Sequence, residues 1–420
     1  MFNNELWQKP TAAGAAGFYS YQIANSIRGS ADDDRTLKFT AGTPTSADTF
    51  TMAYWVKRQT DSTTDSANNI FVTGTGGGTY FYISLGLDLF FEGAGGNWST
   101  SYLQTSAAYR DTSAWYHHIL VFDSTQSAEN DRLKIYVNGE RITSFAQDSM
   151  HGNIGSSEDF SFINASGVVQ AFGGLSGKGH GTEGADLSLA DVMFFDGQAY
   201  YSELGETKNG VWIPKDPSGL TFGNNGYWLK FESSSDLGND SSGNNNDFTV
   251  ANFAAHDQLL DSPTFGSSNG GNYCSYNPLV AQGGAQKLMT LREGNLLAES
   301  ETNDKYHQTI GNMGVRTGKW YIEWYIKDAG YPSWAVGWHY GDQLKLFNGS
   351  SGLAATANMA YMGYFTGSTV YLTPFGNTGT NPTNPNHSSF TNQGAPATDD
   401  ILMCAIDFDA GKGWWGINGV

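Results

Sequence analysis

The residue types best suited to chemistry cluster in Asp240-Ser-Ser-Gly-Asn244-Asn-Asn246-Asp247. Asp240, Ser242, Asn244, Asn246 and Asp247 offer hard oxygen donors at short spacing, with a glycine for the turn, the set that Ca2+ takes. The Glu twelve places along that an EF-hand needs is missing, so the same residues also read as an Asx-turn hairpin loop. Asp32-Asp33-Asp34 is a second acidic cluster that doubles as a solvated turn. Glycoside hydrolysis needs two carboxylates about 5–9.5 Å apart. The nearest pair, Asp407 and Asp409, ends a strand with no third acid on its face. His117 and His118 are neighbours in a strand, so their side chains point to opposite faces and cannot chelate one metal. One is expected in the core and the other at the surface. No HExxH, paired CxxC, GxSxG or P-loop is present. These absences argue against an enzyme. Aromatics are the other resource. Trp98 and Tyr102 follow the Gly93–Gly96 turn, and Tyr331 and Trp334 lie in a later loop-rich stretch. Exposed flat rings there would stack on sugars; packed, they would anchor the loops.

The elements that must carry these residues are strands. Trp115 to Phe122 has the aromatic and β-branched content of one, and Leu133, Ile135 and Val137 alternate with Lys134 and Tyr136. Asn138-Gly139 then signals a type I′ turn into a strand over Arg141 to Phe145. The pattern of strand, acidic turn, strand and Asn-Gly returns at Ile401 to Gly419. Further strands are expected at Thr36–Phe39, Phe50–Lys57, Asn69–Thr73, Tyr80–Leu85, Leu87–Glu92 and Ala190–Phe195, separated by turns that include Gly74–Gly78 and Gly93–Asn97. No window holds a 3.6-residue period long enough for a substantial helix.

Composition sets the outer limits. The chain has 420 residues, 53 of them glycine, and 14% are aromatic, which suits an all-β protein of many tight turns. A net charge of −19 repels nucleic acid and anionic membranes and leaves carboxylates for calcium. Nothing approaches the ~20 apolar residues of a membrane span. The first residues lack the basic and apolar regions of a signal peptide. Two cysteines, Cys274 and Cys404, are too few for a disulfide scaffold and are expected to be buried free thiols.

Four segments follow. Residues 1–20, with Leu6, Trp7, Phe18 and Tyr19, form a docking segment for another chain, or a strand that packs on its own domain. Residues 21–200 form a β-sandwich, residues 201–285 an irregular Gly/Asn/Ser-rich connector with one strand at Tyr227–Phe231, and residues 286–420 a second sandwich. An Asn-Gly turn with no returning strand leaves Trp414 to Ile417 an unpaired apolar edge, so the natural protein is expected to continue past Val420.

Three runs, FTMAYWVKR at 50–58, WYHHILVFD with DRLKIYVNG at 115–139, and LSLADVMFFDGQAY at 187–200, resemble the laminin-G-like, concanavalin A-type jelly roll. The string GVWIPKDPSG, FGNNGYWLKFESSSDLGNDSSGNNNDFTV and DQLLDSPT, from 210 to 264, resembles tail-fibre or virion proteins of tailed bacteriophages. GKWYIEWYI at 318–326, WAVGWHY at 334–340 and the run from Asp399 resemble a SPRY domain, which usually binds protein or peptide through loops. The resemblances imply two tandem concanavalin A-like sandwiches. They also imply a non-enzymatic virion protein, assembled as a homo-oligomer, attached to other virion proteins at its N-terminal end and presenting lectin-like modules to a host glycan or protein. The alternatives are a purely structural virion decoration or adaptor protein, or a secreted bacterial lectin.

Overall fold

The computed structural model describes residues 17–30, 34–59, 68–76, 79–95, 98–173, 185–265, 271–278, 287–300, 307–329, 333–339, 359–366, 369–373 and 396–419. Its strands are β1 (Ser26–Arg28), β2 (Thr36–Thr40), β3 (Thr49–Arg58), β4 (Asn69–Gly76), β5 (Thr79–Leu85), β6 (Leu89–Gly95), β7 (Trp98–Thr105), β8 (Tyr116–Asp123), β9 (Leu133–Val137), β10 (Glu140–Arg141), β11 (Phe145–Asp148), β12 (Val169–Phe172), β13 (Leu187–Asp196), β14 (Gly205–Lys208), β15 (Val211–Pro214), β16 (Tyr227–Leu229), β17 (Thr249–Ala251) and β18 (Gln258–Leu259). Ten more follow: β19 (Lys287–Leu288), β20 (Thr290–Arg292), β21 (Leu297–Glu299), β22 (His307–Gln308), β23 (Lys319–Tyr325), β24 (Ser333–His339), β25 (Met359–Thr366), β26 (Thr369–Thr373), β27 (Ile401–Asp407) and β28 (Lys412–Ile417).

Two large sheets pack face to face. Among the described residues the first runs β10-β9-β8-β3-β13-β1-β18, with β16 also on β13, and the second runs β11-β7-β6-β5-β4-β12-β2-β17. Alternation decides what meets between them. Phe50, Met52, Tyr54 and Val56 of β3, Leu120 and Phe122 of β8, and Leu133, Ile135 and Val137 of β9 face Phe81 and Ile83 of β5, Phe91 of β6 and Leu103 of β7. Phe50 stacks on Phe122 at 4.5 Å. The hairpin after β9 turns through Asn138 and Gly139 at φ +48° and +83°, the pair of left-handed residues a type I′ turn requires. The ring of Trp212 lies against Gly139 where any Cβ would project, so glycine is doubly required there.

The first sheet is buried on its outer side too. Ala53, Ile119, Val121, Met193 and Phe195 point away from the main core and pack with Leu204, Phe222 and Trp228. That explains β13, in which every residue is buried. The covering comes from the segment expected to be an irregular connector. In place of joining two sandwiches, residues 201–259 roof the first sheet. They also add β16 to β13, β18 to β1 and β17 to β2. β16 falls on the strand expected at Tyr227–Phe231, whereas β17 and β18, of three and two residues, carry no readable period.

Four other expectations change. Trp98–Thr105, expected as a loop, is strand β7, paired with β6. His117 and His118 do point to opposite faces, but neither reaches the surface. Cys274 is exposed and only Cys404 is buried, both as free thiols. Tyr19 packs edge-on against Phe265 of its own chain, and Lys208 lies over Phe18, so the described part of the docking segment is held in cis. Leu6, Trp7, Asp32 and Asp33 lie outside the described residues.

The later strands form smaller sheets, β23-β27-β28 and β24-β25-β26. Cys404 and Ile406 pack with Trp320, Ile322, Trp324, Trp338, Phe408 and Trp415, an aromatic core shared between the two sheets.

Candidate functional site

The outer face of the second sheet gathers the residues best placed to meet a ligand. Tyr82, Glu92 and Tyr102 lie directly opposite one another on β5, β6 and β7. In such a row the side chains of adjacent strands stand about 4.5–5.5 Å apart at Cβ. Tyr80 lies two residues before Tyr82 on the same face, and Phe90 two before Glu92. The Tyr80 hydroxyl donates to Glu92 Oε1 at 2.5 Å and that of Tyr82 to Oε2 at 2.6 Å. Burial, and then the bond to Glu92, push the Tyr80 phenol above its ordinary pKa, so it stays a donor. The rings continue across the sheet, Tyr82 to Phe90 and Phe90 to Tyr102, each at 6.0 Å. Tyr102 is 37% exposed whereas Tyr82 is 4% exposed, so the row runs from a held end to an open ring. A polar rim borders it. Gln147 donates to Gln104 and Gln104 to Asp88, both at 3.0 Å. The face therefore combines an accessible apolar ring with fixed hydrogen-bonding groups.

The sequence candidates fall on different elements. Tyr102 belongs to this face. Trp98 opens the same strand, opposite Gly95. Trp334 sits in β24 opposite Phe365, on another sheet, and Tyr331 lies outside the described residues. Tyr80, Tyr82, Phe90 and Glu92 were missed as functional residues. Their signal was phase: Tyr80 and Tyr82 share one parity on β5, and Phe90 shares one with Glu92 on β6.

The calcium candidate is a closed turn. Asp240 Oδ1 accepts the Trp228 and Ser242 amides, both at 2.8 Å, and Oδ2 accepts the Ser242 hydroxyl at 2.8 Å and the Asn246 amide at 3.0 Å. Asp247 Oδ1 accepts the Asp240 amide at 2.8 Å. Asn244 and Asn246 turn their amide nitrogens onto the Gly226 carbonyl, both at 2.8 Å. The carboxylate oxygens and side-chain amides are thus taken up by hydrogen bonds within the turn, which is the Asx-turn arrangement. Beside it, buried Asp196 accepts the amides of Thr45, Ser46 and Asn225 and the Asn164 side chain, a loop-holding knot with its acceptors satisfied. Asp407 and Asp409 likewise accept backbone amides, from Ala410 and Gly318. Among the described residues, no three His, Cys, Asp or Glu side chains gather as metal ligands.

The covered outer face of the first sheet holds a different set. His117 stacks on Trp55 at 4.5 Å, and its Nδ1 accepts Trp212 Nε1 at 2.9 Å. His118, on the core side, lies 3.3 Å from the Tyr54 hydroxyl. Burial drives both imidazoles down to a pKa of about 3, so both are neutral. Asp191 sits in a β-bulge opposite β3 at φ +50°. Its Oδ1 accepts the Tyr21 hydroxyl at 2.9 Å and Trp228 Nε1 at 2.5 Å, while Oδ2 has no partner among the described residues. Burial raises this carboxyl to about 6, against the two hydrogen bonds that lower it.

Residues 30–176 match the family described as the concanavalin A-like lectin/glucanases superfamily, in a laminin G class. The chain thus carries a concanavalin A-like domain, and its sheets are those of an all-β jelly-roll sandwich. No curated protein matches the sequence. Among solved structures it is similar to a native heptameric SAP-like pentraxin from Limulus polyphemus, at 16% identity over 44% of this chain and 81% of that one, with a TM-score of 0.30. It is also similar to the binding domain of botulinum neurotoxin DC in complex with rat synaptotagmin II, at 12% identity over 36% of this chain and 32% of that one, TM-score 0.23. The same binding domain in complex with SialylT gives 14% identity, 40% and 37% coverage, and a TM-score of 0.27. The chain therefore spans most of the pentraxin but only about a third of the toxin chains. Likenesses at these TM-scores carry no argument about function.

Proposed function

We propose that the chain is a non-enzymatic binding protein whose second sheet presents Tyr102 and the Tyr80–Tyr82–Glu92 clamp to a surface glycan. The observation that carries this reading is the exposed Tyr102 ring in register with a carboxylate held by two phenols. A sugar ring would lie on Tyr102, with its hydroxyls meeting the Gln104–Asp88 rim, while buried Glu92 holds the phenol row beside it. Glu92 at the centre and a net charge of −19 favour a neutral glycan over an anionic one. A single carboxylate held by two phenols does not supply the acid–base pair of glycoside hydrolysis. In the fuller form of the proposal, the protein belongs to the virion of a tailed phage, as tail fibre or related fibre. Several copies there raise the avidity of weak sites for the host surface. The ordered motifs from 210 to 264 support that setting, and the SPRY-like reading of residues 286–420 belongs to the same proposal.

The test is binding of the purified chain to an array of neutral and anionic glycans, and to host cells with and without their surface polysaccharide. Wild type should bind neutral glycans saturably, and Tyr102→Ala should weaken binding about tenfold, the loss of one stacking ring. Equal binding by wild type and variant overturns the assignment of the face. A second reading, a purely structural virion component, draws on Tyr321, Tyr325 and Trp414, which are 53%, 60% and 54% exposed on β23 and β28 and would pack against neighbouring subunits. Absence of all glycan and cell binding would favour it.

A further inference from the structure

Lys57 is only 3% exposed, on the outer side of β3, and its ammonium meets three acceptors. Asp261 Oδ2 and Asn272 Oδ1 each lie 2.7 Å from Nζ, and the Tyr273 carbonyl lies at 3.2 Å. Buried Trp115 donates Nε1 to Asp261 Oδ1 at 2.9 Å, which fixes the carboxylate. Asn272 Nδ2 donates to the Ser113 carbonyl at 2.5 Å, which fixes the carboxamide. A parallel bridge between Asp261 and Gly271, with the Ser262 amide on the Gly271 carbonyl at 2.9 Å, holds the acid and the amide side by side. An ion pair needs only Asp261; the carboxamide adds an electrophilic carbon and a leaving group. With a C=O bond of about 1.23 Å, Asn272 Cγ lies no more than ~3.9 Å from Nζ. Productive contacts lie at about 3–3.5 Å.

We propose that Lys57 and Asn272 are the partners of an intramolecular isopeptide bond, with Asp261 as proton carrier. Asp261 takes a proton from the Lys57 ammonium, and the freed amine attacks Asn272 Cγ. The Nζ–Cγ bond forms and the Cγ–Nδ2 bond breaks. The proton on Asp261 passes to the departing nitrogen, and the second proton that Nζ sheds as the new amide forms follows it through the same carboxylate, so the leaving group departs as ammonium and Asp261 ends ionised. The exchange is redox-neutral and needs no co-reactant. The product ties residue 272, beyond the last strand of the first sandwich, to one of that sandwich's inner strands, across 215 residues of chain. A pull on the downstream chain would then load β3 directly instead of peeling the two-residue β18 from the sheet edge.

Intact-mass spectrometry of the full denatured chain tests this. The expected mass is lower than that of the sequence by one ammonia, about 17 Da, with a branched proteolytic peptide joining Lys57 to Asn272. Asp261→Asn and Asn272→Ala, each folded by circular dichroism, should return the full sequence mass. An unchanged wild-type mass overturns the proposal. So does the same loss without a branched peptide, because succinimide formation at Asn138-Gly139 or Asn418-Gly419 also expels ammonia. A loss of one water with a Lys57–Asp261 branch overturns the choice of Asn272, and a cross-link persisting in Asp261→Asn overturns the role of the acid.

Discussion

The two outer faces of the first sandwich are both aromatic, yet one is buried throughout under residues 201–259 while the other leaves the Tyr102 ring 37% exposed. On the first sheet, Trp55, His117 and Phe195 are covered by Trp212, Phe222 and Trp228, and the result is a second core. On the second sheet, Tyr80, Tyr82, Phe90 and Tyr102 end in an exposed ring beside a clamped carboxylate. Aromatic content on a strand therefore does not mark a binding face. What marks the candidate face is a ring left exposed, Tyr102, in register with fixed polar groups.

The largest effect should separate the two faces. Trp228→Ala removes a ring that is 5% exposed and the donor to Asp191, and should lower stability by about 3–5 kcal/mol. Tyr102→Ala on the second sheet should change stability by less than about 1 kcal/mol. Urea titration of both variants checks this; a similar loss for the two would erase the distinction between the faces.

Acid should act next on the first sheet, through His117 on its roofed face and His118 on its core face. His117 and His118 have folded pKa values of about 3 against 6.5 unfolded, so the unfolded state binds the extra protons. Their contribution is present above about pH 6.5 and is lost as pH falls toward 3, on the order of a few kcal/mol by pH 5. His118→Gln should flatten the curve in that window; an unchanged slope would show that the imidazoles are not the sensitive groups.

Asp191 works in the opposite sense. Its folded pKa of about 6 lies above the usual 3.8, so the folded state binds the extra proton and stability rises as pH falls from 6 toward 4. Asp191→Asn should stabilise the protein at pH 7 by on the order of 1–3 kcal/mol, with the gain gone near pH 4. A loss at pH 7 would mean that the ionised carboxylate is needed by Tyr21 and Trp228. The smallest effect concerns the Asp240 turn: a chelator should leave the melting temperature unchanged, and a clear drop would return the loop to the list of cation sites.

Much of the sandwich was legible because it is local. Asn138-Gly139 marked its hairpin, and Leu133, Ile135 and Val137 showed their alternation. Of the roof only the strand at Tyr227 was legible; the rest depends on contacts such as Trp212 to His117, 95 residues apart, and on strands too short to show a period. Strand β7 read as a loop because Ser99, Thr100 and Ser101 follow a glycine run. Of the site, Tyr102 was found through its ring alone. Glu92 and its two phenols were hidden because β5 carries apolar residues on both faces, Phe81 and Ile83 inward and Tyr80 and Tyr82 outward, so its sequence gives no sign of which side faces the main core.

The most direct test of the candidate face is hydrogen–deuterium exchange of the protein with and without a saturating neutral glycan from the array. Binding at Tyr102 predicts protection confined to peptides covering β5, β6 and β7, with the Asp240 turn and the roof unchanged. Protection at the turn or in β23–β28, with β5–β7 unaffected, would contradict the assignment.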